Sequence, residues 1–96
     1  MSETLTAHLR LSILRTLAGA EGYTANSSII ATVAVEFGLV TSRDRIKTEL
    51  GWLAEQGLTA NRPVGALIVA TLTERGLDVA EGRATQHGVQ RPSPGS

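Results

Sequence analysis

Apolar residues recur through the first half of the chain at helical spacing. Leu5, Leu9, Ile13, Leu14 and Leu17 follow one another at intervals of four, four, one and three. That spacing lays one apolar stripe along an amphipathic helix from about Thr4 to Ala18. Gly19 can end it in the left-handed conformation, and Arg10 and Arg15 fall on its other side. After a loop through Gly22 and Tyr23, residues Asn26, Ser27 and Ser28 each offer a cap for a second helix. This one carries Ile29, Ile30, Val33 and Phe37 and stops at Gly38. Its β-branched residues also suit a strand; the cap before them and the glycine after them favour the helix.

The third stretch is the clearest. Thr41 opens a Thr-x-x-Asp pattern ending at Asp44, close to a capping box with Asp in place of Glu or Gln. Ile46, Leu50 and Leu53 follow at i, i+4 and i+7, and Gly57 closes a helix of ~15 residues, or ~22 Å. Beyond it the period changes. Leu58-Thr59-Ala60 and Ala66 to Thr71 read as strands, and Asn61-Arg62-Pro63-Val64-Gly65 between them carries the Pro and Gly of a turn, so a hairpin is expected. Thr73 can cap a last helix with Glu74 in its first turn, Leu77 and Ala80 facing inward and Gly82 ending it. Periodicity is lost from Arg83, and Arg91-Pro92-Ser93-Pro94-Gly95-Ser96 has the composition of a disordered tail. The expected organisation is one domain over 1–82 and an extended, flexible tail over 83–96.

Composition narrows the function. The 96 residues hold one Trp, one Tyr and one Phe, so the core must be Leu, Ile, Val and Ala. Few aromatics remain to stack on unpaired bases, which argues against a single-strand reader. Nine basic residues balance nine acidic ones, so any affinity for nucleic acid must come from where the charges sit. Without Cys there is no disulfide, zinc finger or thiol chemistry. The apolar runs fall well short of the ~20 residues that cross a bilayer, and Met1-Ser2-Glu3-Thr4 does not open a signal peptide. The expected location is cytoplasmic.

Helix, helix, helix, hairpin, helix is a mainly α (α+β) order. With the short link Gly38-Leu39-Val40 between the second and third helices, it is the layout of a winged helix-turn-helix, whose third helix enters the major groove of duplex DNA. Phe37-Gly38-Leu39-Val40-Thr41-Ser42-Arg43 through Leu50-Gly51-Trp52-Leu53-Ala54-Glu55-Gln56-Gly57-Leu58 resembles the helix-turn-helix core of ArsR- and MarR-type winged-helix regulators. Leu72-Thr73-Glu74-Arg75-Gly76 is similar to the Leu-Thr-x-x-Gly that follows the wing in the same superfamily. The whole chain also resembles a small protein of Mu-like phages and prophages, commonly labelled ArsR-like. The resemblance implies a DNA-binding transcriptional regulator. It departs from the metal sensors among those regulators: there is no Cys, and His8 and His87 stand at opposite ends, so no metal and no cofactor is expected. The long flanking helices that dimerise MarR-type proteins are absent too. A homodimer would have to form through the first helix, the last helix or the tail.

With Ile46 set inward and ~100° per residue, Leu50 and Leu53 stay within ~40° of inward. Asp44, Thr48 and Glu55 then occupy the outward centre, Arg43 and Lys47 one shoulder, and Arg45 and Trp52 the other. Ser42, Arg43, Arg45, Lys47 and Thr48 in the N-terminal half, with Arg62 at the hairpin tip, are the candidate DNA contacts. Arg can pair bidentately with guanine and Lys can hold a phosphate. Asp44 fits a helix start, and the whole face equally fits an ordinary solvated surface of mixed charge. Trp52 is expected to pack on the hairpin or last helix, and Gly51 to admit another backbone closely.

An enzyme is not expected. Gly19-Ala20-Glu21-Gly22 lacks the Gly-Lys-Ser/Thr ending of a phosphate loop, and no Ser or Thr stands in a recognisable pattern with His and a carboxylate. The alternative to DNA binding is a winged-helix module that docks on protein, which the neutral charge, Trp52 and the acidic residues of the third helix suit.

Overall fold

A computed structural model describes residues 3–93. Helix α1 spans Glu3–Ala18, and a single 3-10 turn at Glu21–Tyr23 leads into strand β1, Thr24–Asn26. Helices α2 (Ser27–Glu36) and α3 (Arg43–Glu55) follow, then strands β2 (Thr59–Val64) and β3 (Leu67–Leu72), and helix α4 (Glu74–Ala80). The order is that of a winged helix-turn-helix, as the hydrophobic pattern predicts.

Three local details differ from the sequence reading. The first is the sheet, which has three antiparallel strands in the order β1-β3-β2. Thr24, Ala25 and Asn26 pair with Thr71, Ala70 and Val69. Three residues are too few to carry an alternating pattern, so β1 exists by virtue of β3 beside it. Second, the cap of α3 is Ser42, whose Oγ accepts from the Arg45 amide at 3.1 Å. Thr41 lies outside the helix and its hydroxyl is buried with no hydrogen-bond partner among the described residues. The link between α2 and α3 is correspondingly longer, Phe37 to Ser42.

Third, α2 is rotated relative to the stripe expected of it. Its buried side is Ser27, Ile30, Ala31 and Ala34, while Ile29 and Phe37 are exposed. Small residues on that side let the helix approach its neighbours, and Ser27 Oγ accepts the Ile68 amide of β3 at 3.1 Å. Asn26 caps α2 by accepting from the Ile29 amide at 2.9 Å. In α1 the stripe holds for Leu9, Ile13, Leu14 and Leu17, with Leu11 added and Leu5 exposed. Together with Ile46, Leu50, Leu53, Leu58, Ala70, Leu72 and Val79 these form one aliphatic core.

The two segments that carry the family resemblance meet in space. Thr73 donates its amide to Leu58 O at 3.1 Å and its hydroxyl to Gly57 O at 2.7 Å. That hydroxyl also accepts the Gly76 amide at 3.0 Å, capping α4. Gly76 itself lies so close to the segment after α3 and to the end of β3 that a Cβ would overlap Leu58 O and stand 2.6 Å from Leu72 Cδ1. Leu-Thr-x-x-Gly thus ties the end of α3 to the start of α4 with two hydrogen bonds and a contact only glycine permits.

The segment after α4, expected to trail free, instead packs on the domain. Val89 is buried, the Gln90 amide donates to Ala7 O at 3.1 Å, and Pro92 lies against Gly82. Arg83 closes α4 by pairing with Asp78 and Glu81; hydrogen bonds to Glu81 and Asp78 raise its pKa above the usual arginine value. A tail composition does not prevent docking when one apolar side chain and a few backbone groups find partners. Pro94 to Ser96 lie outside the described residues.

Candidate nucleic-acid interface

Helix α3 divides into strips. Ile46, Glu49, Leu50 and Leu53 are buried. Asp44, Thr48, Gly51 and Glu55 form an exposed ridge along its length, with Arg43 exposed beside it. Thr48 Oγ1 donates to Asp44 O at 3.1 Å. Gly51 has nothing within 4 Å of where a Cβ would stand, so the close backbone expected there is absent among the described residues.

The hairpin is fastened alongside this helix. Lys47 Nζ donates to Ala66 O in the turn between β2 and β3, and Asn61 Nδ2 donates to Leu50 O at 2.9 Å. The turn is Gly65-Ala66, so Arg62 sits within edge strand β2, paired with Val69, rather than at the tip. It is exposed there. Pro63 is tolerated because β2 is an edge strand.

The opposite shoulder holds an unforeseen cluster. Glu49 is buried, and each carboxylate oxygen receives an arginine. Arg10 Nε donates to Oε1 at 2.8 Å and Arg45 Nε to Oε2 at 2.6 Å. Arg45 also donates to Thr6 Oγ1 at 2.8 Å. Arg10 donates to Gly88 O at 3.1 Å and lies over the Trp52 ring, 3.6 Å from its centroid. Trp52 therefore packs against α1 and the C-terminal segment. Burying a carboxylate is costly unless it is paired and its lone pairs are filled, and here both oxygens are. The Arg45–Glu49 spacing of four is legible in the sequence; the part of Arg10 is not, because nothing in the periodicity of α1 places α3 beside it.

The six candidate contacts thus separate. Ser42, Arg43 and Thr48 lie on the exposed start and ridge of α3, and Arg62 on the exposed wing strand. Lys47 spends one donor on the turn and keeps others. Arg45 is engaged with Glu49 and Thr6, which leaves it little reach outward. Asp44 and Glu55 remain exposed on the ridge. Among the described residues no group of three or more His, Cys, Asp or Glu side chains could hold a metal ion. No helix among them is long and apolar enough to cross a membrane.

The fold is similar to that of AbsC, a MarR family transcriptional regulator from Streptomyces coelicolor, with a TM-score of 0.62 and 23% identity over 75% of this chain. The chain spans about half of that regulator, 47% of its length. No family model matches the sequence. An uncharacterized protein of Haemophilus influenzae is 45% identical over 76 residues, covering 78% of this chain and 74% of that protein. The uncharacterized protein gp26 of Escherichia phage Mu is 43% identical over 94 residues, 98% of this chain and 97% of gp26. With that identity along nearly its whole length, the chain belongs to the family of phage Mu gp26, and its fold is a winged helix-turn-helix.

Proposed function

We propose that this protein is a DNA-binding transcriptional regulator of phage origin, with α3 in the major groove and the β2–β3 hairpin along the backbone. The observation that carries the reading is the fastening of the hairpin to α3 through Lys47–Ala66 and Asn61–Leu50. It gives the exposed ridge of α3 a fixed wing beside it. The likeness to a MarR family regulator supports the same reading through the fold.

In this reading Arg43 and Thr48 face base edges, and Ser42, Lys47 and Arg62 hold phosphates. Ser42 Oγ accepts the Arg45 amide and keeps its hydroxyl proton for a phosphate oxygen. Arg45 acts behind the face, holding α3 through Glu49. Asp44 and Glu55 limit how much phosphate the ridge can approach, so affinity rests on few contacts.

Exposed Asp44 and Glu55 favour a second reading, in which the same ridge docks on a basic surface of another protein. Binding of the full chain to random duplex DNA across a salt series separates the two. DNA binding by counterion release loses affinity steeply as salt rises, and Arg43→Ala with Arg62→Ala abolishes it while thermal unfolding is unchanged. No binding at low salt, or binding indifferent to both changes, rules out the DNA reading.

A further inference from the structure

The end of α2 and the link after it leave an apolar surface uncovered. Val35, Phe37 and Val40 are all exposed, Phe37 at 77% and Val40 at 90%. Single exposed apolar residues are ordinary, but these three fall within six positions, and Phe37 stands at the edge of a groove. The groove encloses about 500 Å³ and runs between α1 and the link. Leu11 and Leu39 line it, with His8, Ser12 and Arg15 of α1 and Phe37 itself. A knob and a hollow therefore stand side by side on one face.

The charges around them are complementary in a particular way. Arg15 on the groove side is basic, and Glu36 immediately precedes the Phe37 knob. Arg15, Glu36 and Phe37 are all exposed. Among the described residues neither Arg15 nor Glu36 has an ion-pair partner within the chain. The hollow thus has an unpaired cation and the knob an unpaired anion.

We infer that a second copy of this chain docks on this face. A two-fold pairing is self-complementary: residue i meets residue j and j meets i. Phe37 of each copy enters the groove of the other, and each Glu36 meets the other copy's Arg15. The contact uses the His8–Ser12–Arg15 side of the first helix together with the helix-turn-helix link, and neither α4 nor the C-terminal segment. It stands apart from what α3 binds, since no residue of the α3 ridge takes part.

Sedimentation of the full chain over a range of concentrations tests the pairing. The expected mass is twice the 10.1 kDa of one chain, falling to a single chain in Phe37→Glu, which keeps the circular dichroism of a folded protomer because the residue is exposed on the single chain. Arg15→Glu and Glu36→Arg each set like charges against one another twice and weaken the dimer by about a hundredfold. Mixed in equal amounts, these two variants restore it, because each then supplies what the other lacks. A single-chain mass for the unaltered protein at millimolar concentration overturns the proposal. So does a dimer indifferent to Phe37→Glu, or a variant mixture that stays monomeric.

Discussion

Arg10 and Glu49 stand 39 positions apart in sequence and meet at 2.8 Å between Nε and Oε1, joining α1 to α3 on the side away from the hairpin. The Glu49 side chain is 5% exposed, and Arg45 occupies its other oxygen. Removing the carboxylate leaves two guanidiniums facing each other. Breaking a buried pair costs about 3–5 kcal/mol; because both arginines keep some contact with water, Glu49→Ala is expected at the lower end, about 3 kcal/mol. Denaturant unfolding measures it. A loss under about 0.5 kcal/mol, the range of ordinary surface changes, would contradict a structural role.

The start of α3 offers a paired comparison. Ser42→Ala removes the cap and is expected to cost about 1 kcal/mol. Thr41→Val replaces a buried hydroxyl that has no hydrogen-bond partner among the described residues, so it is expected to be neutral or stabilising, since an unsatisfied buried polar group costs about 1–3 kcal/mol. The reverse ranking of melting temperatures would move the cap to Thr41.

Two glycines in helices make opposite predictions. Gly76→Ala places a Cβ against the Leu58 carbonyl, a backbone atom that cannot swing aside. The cost is expected at about 3 kcal/mol or above, the upper end for overpacking. Gly51→Ala meets open space and gains helix propensity, about 1 kcal/mol of added stability. If α3 seats in a groove, Gly51→Ala also weakens DNA binding while the melting temperature rises, and those two readings moving in opposite directions identify the ridge as a contact.

Gly88 holds the C-terminal segment at a conformation with φ +93, where a Cβ would stand 2.9 Å from Arg10 Nη1 and from the Trp52 ring. Both the backbone and the space exclude a side chain. Gly88→Ala is expected to release the segment around Val89, exposing Trp52. A red shift in tryptophan fluorescence and faster amide exchange at Gln90 report it, with unfolding free energy lowered by about 1–3 kcal/mol. Unchanged exchange at Gln90 would show that the segment is held elsewhere.

Arginines on α3 and the wing are expected to part company in a salt series. Arg43→Ala and Arg62→Ala each reduce the slope of log affinity against log salt by about 1, as phosphate or groove contacts do. Arg45→Ala leaves that slope near its original value and lowers stability instead, through Glu49. An Arg45→Ala slope change equal to that of Arg43→Ala would place Arg45 at the nucleic acid.

The sequence by itself determined the order of the main elements and the winged-helix layout. Helical and strand periods differ, and Leu9, Ile13, Leu14, Leu17, Ile46, Leu50 and Leu53 state the helical one without ambiguity. It also placed Thr48 at the outward centre of α3 and Arg43 on the shoulder beside it, because a helix wheel needs only the 3.6-residue repeat. Tertiary structure decided what periodicity along one segment cannot express. Strand β1 forms because β3 offers it a ladder. Phe37 was left outside by the rotation of α2. Val89 is buried and Trp52 covered because the C-terminal segment returns to α1. The shoulder of α3 that carries Arg45 was turned from a free cationic surface into a structural joint by Arg10, a residue whose position depends on how two helices pack and not on any pattern within either.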